Sequence, residues 1–133
     1  MDAKRLRSIP LFEKLASKDL ELVARHADEI EVPEGKVLTV EGERALEFFM
    51  ILEGTATVSR SGAPIRRIGP GDFFGEIGVV QTTYRTATVT ADSHMKLVVM
   101  FGPEFSAIDS RYESVRDLVS QAIADRLPPD TTS

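Results

Sequence analysis

The sequence predicts a mainly β fold, an antiparallel sandwich or jelly roll with helices at both ends, and three patterns support that reading. Short apolar runs recur through the middle of the chain, punctuated by Gly35, Gly42, Gly54, Gly62 and Gly69. Residues 86–91 alternate strictly, with Ala87, Val89 and Ala91 on one face and Thr86, Thr88 and Thr90 on the other, which is the period of a half-buried strand. Both ends of the chain instead carry apolar stripes at helical spacing.

Residues 1–27 read as helical. Leu11, Phe12 and Leu15 make a short apolar turn after Pro10, and Ser17 is the expected N-cap of the next helix. Asp19 falls in its first turn, where the helix dipole favours an acid. Leu20, Val23, Ala24 and Ala27 form the buried stripe, and His26 lies off it on the surface. Strands follow at 37–40 (VLTV), 48–52 (FFMIL), 55–59 (TATVS) and 64–68 (PIRRI). Ser61-Gly62 is the tip of a hairpin, and Gly69-Pro70-Gly71-Asp72 is a turn. Phe48, Phe49, Phe73 and Phe74 suit a core better than a platform for stacking single-stranded nucleic acid. Arg66 and Arg67 read as a solvated strand end. Residues 95–100 (MKLVVM) are the last strand, buried on both faces.

Gly102-Pro103-Glu104 then opens a helix with proline at its first position and with Phe105 and Ile108 facing inward. A second helix runs from Tyr112 to Leu127, and its apolar positions cover about half the circumference. Arg116 falls inside that arc and Ser120 at its edge. On its face this is an arginine whose aliphatic stem covers apolar surface. The organisation is one domain over 1–127 with a frayed terminus at 128–133.

Composition narrows the function. Sixteen basic against twenty-one acidic residues give a net charge of −5, so the whole domain is not drawn to nucleic acid or an acidic membrane. Cysteine is absent, which removes disulfides and thiolate metal sites. The two histidines, His26 and His94, are far apart, whereas a jelly-roll metalloenzyme needs clustered ligands. No apolar run approaches the ~20 residues of a membrane span, and the basic N-terminus is not followed by the apolar segment of a secretory signal. A cytoplasmic protein is expected.

The chemistry gathers in 73–91, FFGEIGVVQTTYRTATVTA. Counting back by two along the strand puts Arg85 on the apolar face, where a guanidinium is costly unless an anion meets it. Gly75 permits torsions closed to other residues. Glu76 to Val80 can form one helical turn whose free N–H groups suit a phosphate, and Arg85 can complete the charge with forked hydrogen bonds. Glu76 would repel a phosphate but can accept from a sugar hydroxyl. Phosphate plus ribose in one compact ligand is the reading; a structural salt bridge between Glu76 and Arg85 is its bland alternative.

The motif FGEIGVV-QTTY-RTA resembles the phosphate-binding cassette of cyclic nucleotide-binding domains, as found in catabolite activator proteins, cAMP-dependent kinase regulatory subunits and cyclic nucleotide-gated channels. Glu76 and Arg85 keep the nine-position separation of that cassette. Gly78 stands where alanine is usual and Tyr84 where proline is frequent. The resemblance covers residues 9–127 and implies a β-roll with N-terminal helices and two C-terminal helices. It implies that Glu76 takes the ribose 2′-hydroxyl and Arg85 the cyclic phosphate, within a site of Phe74, Gly75, Glu76, Ile77, Arg85, Thr86 and Ala87. It also implies that the last helix closes over the purine, with Arg116, Ser120 and Ile123 as lid residues.

The expected function is therefore that of a cyclic nucleotide sensor, with cAMP modestly ahead of cGMP, that performs no chemistry and uses no metal or cofactor. It would signal to an unknown protein effector or attached domain, without touching nucleic acid or membrane. The initial Met and polar tail favour a free-standing sensor, and the wide apolar arc of the last helix permits a homodimer through it. The alternatives are a ligand-free structural or interaction module of the same fold and a cupin-like metalloenzyme.

Overall fold

The computed structural model describes residues 2–75 and 84–126. Outside them fall Glu76, Ile77, the expected helical turn at 76–80 and the tail at 128–133. The side chain of Ile123 is outside them too. The elements run α1 (Ala3–Arg7), a 3-10 turn (Pro10–Phe12), α2 (Ser17–His26), β1 (Ala27–Val32), β2 (Val37–Thr39), β3 (Glu47–Glu53), β4 (Ala56–Arg60) and β5 (Ala63–Ile68). Then follow β6 (Phe73–Phe74), β7 (Thr88–Ala91), β8 (Met95–Phe101), α3 (Gly102–Arg111) and α4 (Glu113–Arg126).

The described strands form two antiparallel four-stranded sheets, ordered β1-β8-β3-β6 and β2-β7-β4-β5. The expected mainly β fold with helices at both ends is what the chain adopts, in the form of a β-roll. Side chains alternate along β3 and β8, so the first sheet has two occupied faces. Phe49, Ile51, Met95 and Leu97 point at the second sheet and meet Val58, Ile68, Val89 and Ala91. Phe48, Met50, Val98 and Met100 point the other way, under the helices, and meet Leu6, Phe12, Val23, Phe105, Val115 and Val119. β8 lies between β1 and β3, which is why MKLVVM has no polar face to spare.

Turn chemistry appears where glycine pairs predicted it. Ser61 and Gly62 have φ of 53° and 81°, the left-handed pair that closes a two-residue hairpin without splaying its strands. At the next turn the Asp72 N–H donates to the Gly69 carbonyl at 3.0 Å, and the Asp72 carboxylate accepts from the Gly69 N–H at 2.8 Å.

Several expectations need correction. Ser17 is the first residue of α2 rather than its cap; Ala16 holds the cap position and no side chain bonds there. The helix ends at His26, and Ala27 begins β1, so its burial belongs to a strand. β1 itself was not anticipated: Asp28 through Glu31 are exposed, and an edge strand with four solvated positions has almost no apolar signature. Tyr112 is the C-cap of α3 and not part of the second helix. Of the wide apolar arc on α4, Val115 and Val119 are fully buried while Leu118 is 43% exposed. Arg66 is not a solvated end. It shares the inward face of β5 with buried Ile68, and its Nε is buried.

Candidate functional site

Arg85 is 8% exposed, the one charged side chain buried among the described residues. Its position follows from the alternation: Val89 and Ala91 are buried on the same side of β7, and the chain enters the strand with Arg85 already turned inward. The backbone is pinned there on both sides. The Arg85 N–H donates to the Glu43 carbonyl at 2.7 Å, and its carbonyl accepts from the Gly42 N–H at 2.9 Å. Arg44 and Tyr84 form a bridge just outside.

Beneath the guanidinium lie two rings. Phe49 and Phe74 face each other across β3 and β6 and stack at 4.8 Å with an interplanar angle of 7°. The Arg85 Cζ stands 5.7 Å from the Phe49 ring centroid, within reach of the attraction between a cation and an aromatic face. Arg85 Nη1 donates to the Gly75 carbonyl at 3.5 Å. Gly75 is needed twice. Its φ of +89° suits only glycine well, and a Cβ there would sit 2.7 Å from Arg85 Nη1 and 3.1 Å from the Glu47 carbonyl.

The rest of the expected site divides. Phe74 is buried, and Ala87 and Thr86 are half-buried beside Arg85; the Ala87 carbonyl accepts from the Thr39 hydroxyl at 3.1 Å. One participant escaped the sequence reading: Arg60 Nε donates to the Thr86 carbonyl at 2.9 Å, bracing the chain next to Arg85. Only the register Ser59↔Thr88 brings these residues together, and no local pattern encodes that pairing. Arg116 and Ser120 lie on exposed positions of α4, and Arg116 Nη2 donates to the Ser110 carbonyl at 3.5 Å. The buried face of α4 belongs to the helix-side cluster, while Arg85 rests on Phe49, which faces the roll interior.

The arrangement is a buried cation over two stacked rings and beside a glycine carbonyl, a geometry that can meet one compact anion. Among the described residues no three of His, Asp and Glu converge as metal ligands, and no helix is long and apolar enough to cross a membrane.

A family model for the cyclic nucleotide-binding domain matches residues 29–112. The chain belongs to that family. Such domains are regulatory sensors rather than catalysts, and this one is not an enzyme. A cyclic nucleotide-gated potassium channel from Rhizobium etli is 30% identical over 119 residues, covering 90% of this chain and 33% of the channel. The cyclic nucleotide-binding domain described here thus spans a third of that relative's length. The regulatory domain of Toxoplasma gondii protein kinase A, crystallised with cAMP, superposes with a TM-score of 0.82 at 22% identity, over 92% of this chain and 48% of that one. The regulatory subunit of a cAMP-independent protein kinase A from Trypanosoma brucei does so almost equally, with a TM-score of 0.81 at 21% identity, over 91% and 45%. The fold alone therefore does not select a ligand.

Proposed function

We propose that this domain binds a 3′,5′-cyclic purine nucleotide, cAMP modestly ahead of cGMP, and passes the binding on as a movement of α4. Buried Arg85 carries the reading. A guanidinium out of water at a strand mouth, laid against a glycine carbonyl, is built for a desolvated anion rather than for solvent. The cyclic phosphate meets Arg85, with Thr86, Ala87 and the N–H groups of the segment begun by Gly75, Glu76 and Ile77. Glu76 takes the ribose 2′-hydroxyl, and Phe74 forms part of the floor.

Closure follows from differential fit. The ligand draws the cassette inward and favours a state in which α4 covers the purine, with Arg116, Ser120 and Ile123 touching the base. Only better binding to the closed state can drive that shift. The recipient is a protein effector or an attached domain in the cytoplasm, and α4 can also serve a homodimer.

Calorimetric titration with cAMP and cGMP tests the reading. Truncating one partner of a buried charge pair costs ~2–5 kcal/mol, roughly 30- to 3,000-fold in affinity. Arg85→Ala is expected to lose that much, and an unchanged dissociation constant would end the assignment. Arg116→Ala in the same titration is expected to shift affinity or base preference. If only thermal stability moves, the lid role is wrong. The likeness to a cAMP-independent regulatory subunit supports a second reading, a ligand-free interaction module, and the titration decides it: no heat with either nucleotide is that module's signature.

A further inference from the structure

The β4–β7 pairing runs from Ala56↔Ala91 to Ser59↔Thr88, so the Thr86 and Ala87 peptides lie beyond the end of that ladder. Carbonyls this close to the interior need donors, and side chains supply two of them. Gly42 N–H donates to the Arg85 carbonyl at 2.9 Å, Arg60 Nε to the Thr86 carbonyl at 2.9 Å and the Thr39 hydroxyl to the Ala87 carbonyl at 3.1 Å. In the order β2-β7-β4-β5, Thr39 and Gly42 lie on or just after β2, while Arg60 comes from the β4 side. Arg60 stands two positions past buried Val58, on the face of β4 that looks into the roll, and is itself part-buried. Beside it, at the hairpin tip, the Ser61 N–H donates to Glu41 Oε1 at 2.9 Å, and the Glu41 N–H donates to the Thr88 hydroxyl at 3.0 Å. The hairpin, the 41–43 turn and the segment that carries Arg85 are thereby tied together.

We propose that Arg60 is a positioning residue for Arg85: by holding the Thr86 carbonyl it fixes the backbone from which the guanidinium meets its anion, and so raises affinity for a cyclic nucleotide it does not touch. The effect on ligand rests on the sensor reading above; the brace itself rests only on the contacts at the strand mouth. The donor nitrogen of Arg60 matters here, not its charge. Arg85 is pinned through its own N–H and carbonyl by Glu43 and Gly42, both from the β2 side. Without Arg60 the next peptide loses its hold from β4, and a small rotation at Thr86 is carried outward along the arginine side chain. A forked guanidinium contact needs two N–H groups in line with the anion, so it suffers more from such a swing than a point charge would. Losing one hydrogen bond of this kind corresponds to about tenfold in an equilibrium constant.

Arg60→Gln and Arg60→Met separate donor from charge. The glutamine amide nitrogen lies as many bonds from Cα as the arginine Nε, so it keeps the donor and removes the charge; methionine has a similar reach and no donor. Without nucleotide, hydrogen exchange at the Arg85 amide is read relative to the amides of β8, so that a general loss of stability cancels. It should be about tenfold faster in Arg60→Met and within about twofold of the parent in Arg60→Gln. Unchanged protection in Arg60→Met, or equal acceleration in both variants, overturns the brace whatever nucleotide does. Calorimetric titration with cAMP then tests the coupling to ligand. Arg60→Met should bind about tenfold more weakly and Arg60→Gln within about threefold of the parent. A glutamine variant as weak as the methionine one would assign the effect to charge and overturn the proposal. In an Arg85→Lys background, which lacks the fork, Arg60→Met should weaken binding less than about threefold, as expected of residues that act through one group. Equal losses in the two backgrounds overturn it as well. A parent that binds neither cAMP nor cGMP ends the sensor reading, and the amide measurement alone then decides the brace.

Discussion

The two faces of the β1-β8-β3-β6 sheet are finished in different ways. On the helix side the row that includes Phe48 ends under Phe105, the rings stacked at 3.7 Å and 8°. On the roll side the stacked pair of Phe49 and Phe74 ends under a guanidinium. A ring completing an apolar row leaves nothing to be satisfied and makes a joint between α3 and the sheet. A cation completing a similar row, buried beside the Gly75 carbonyl, is instead a group that can meet an anion. Adjacent residues of one strand, Phe48 and Phe49, thus reach the helix side and the roll side through nothing more than side-chain alternation.

The largest expected effect breaks the joint. Phe105 is fully buried, and Phe→Ala in a core costs ~3–5 kcal/mol. Phe105→Ala should lower the denaturant midpoint accordingly, while the fraction that remains folded keeps its cAMP affinity within a few-fold. A loss below about 1 kcal/mol would mean that α3 is not held through its ring.

On the roll side the sharper probe is Gly75→Ala. The position has φ +89°, and placing a residue with a side chain in such a region costs of order 1–3 kcal/mol. The added Cβ would also displace Arg85 Nη1, 2.7 Å away. Stability should fall by about 1–3 kcal/mol and nucleotide affinity should fall with it, the second effect distinguishing it from Phe105→Ala. Stability loss with unchanged affinity would show that Arg85 accommodates the methyl and that the glycine serves the backbone alone.

The orientation of Arg85 was legible in the sequence, as was the inward face of Phe105. Gly75 and Arg85 lie within one short cassette, and the alternation through Ala87, Val89 and Ala91 carries the inward orientation of Arg85 without knowledge of any partner strand. Ser61-Gly62 was legible for a similar reason, because left-handed torsions select residue types locally. What escaped was long-range. β1 is a strand only because β8 pairs with it from Ala27↔Met100 to Val32↔Met95, while its own residues are mostly acidic and solvated. His26 read as a surface residue, and it is half-exposed, yet its Nδ1 stands 3.0 Å from Glu104 Oε1, a contact set by how α3 crosses α2. Arg66 looked like half of a solvated pair because its inward turn follows from the pairing Val58↔Arg66.

The smallest effect tests whether the helix side is wholly apolar in its energetics. Asp109 on α3 has Oδ1 buried without a hydrogen-bond partner among the described residues. Burial raises its carboxyl above the ordinary carboxylate value, and the nearby Arg116 charge opposes the rise. With the folded pKa above the unfolded one, the native chain takes up the proton first as pH falls. Between the two values the folded state therefore binds more protons, and stability rises on acidification. Above the folded pKa the ionised form bears its full penalty. Asp109→Asn should raise stability at neutral pH by less than about 0.5 kcal/mol and flatten the acid-side slope in denaturant titrations run across the carboxylate range. A loss of stability at neutral pH would reverse the balance. It would mean that attraction to Arg116 outweighs burial, and that the α3–α4 corner is itself held by charge.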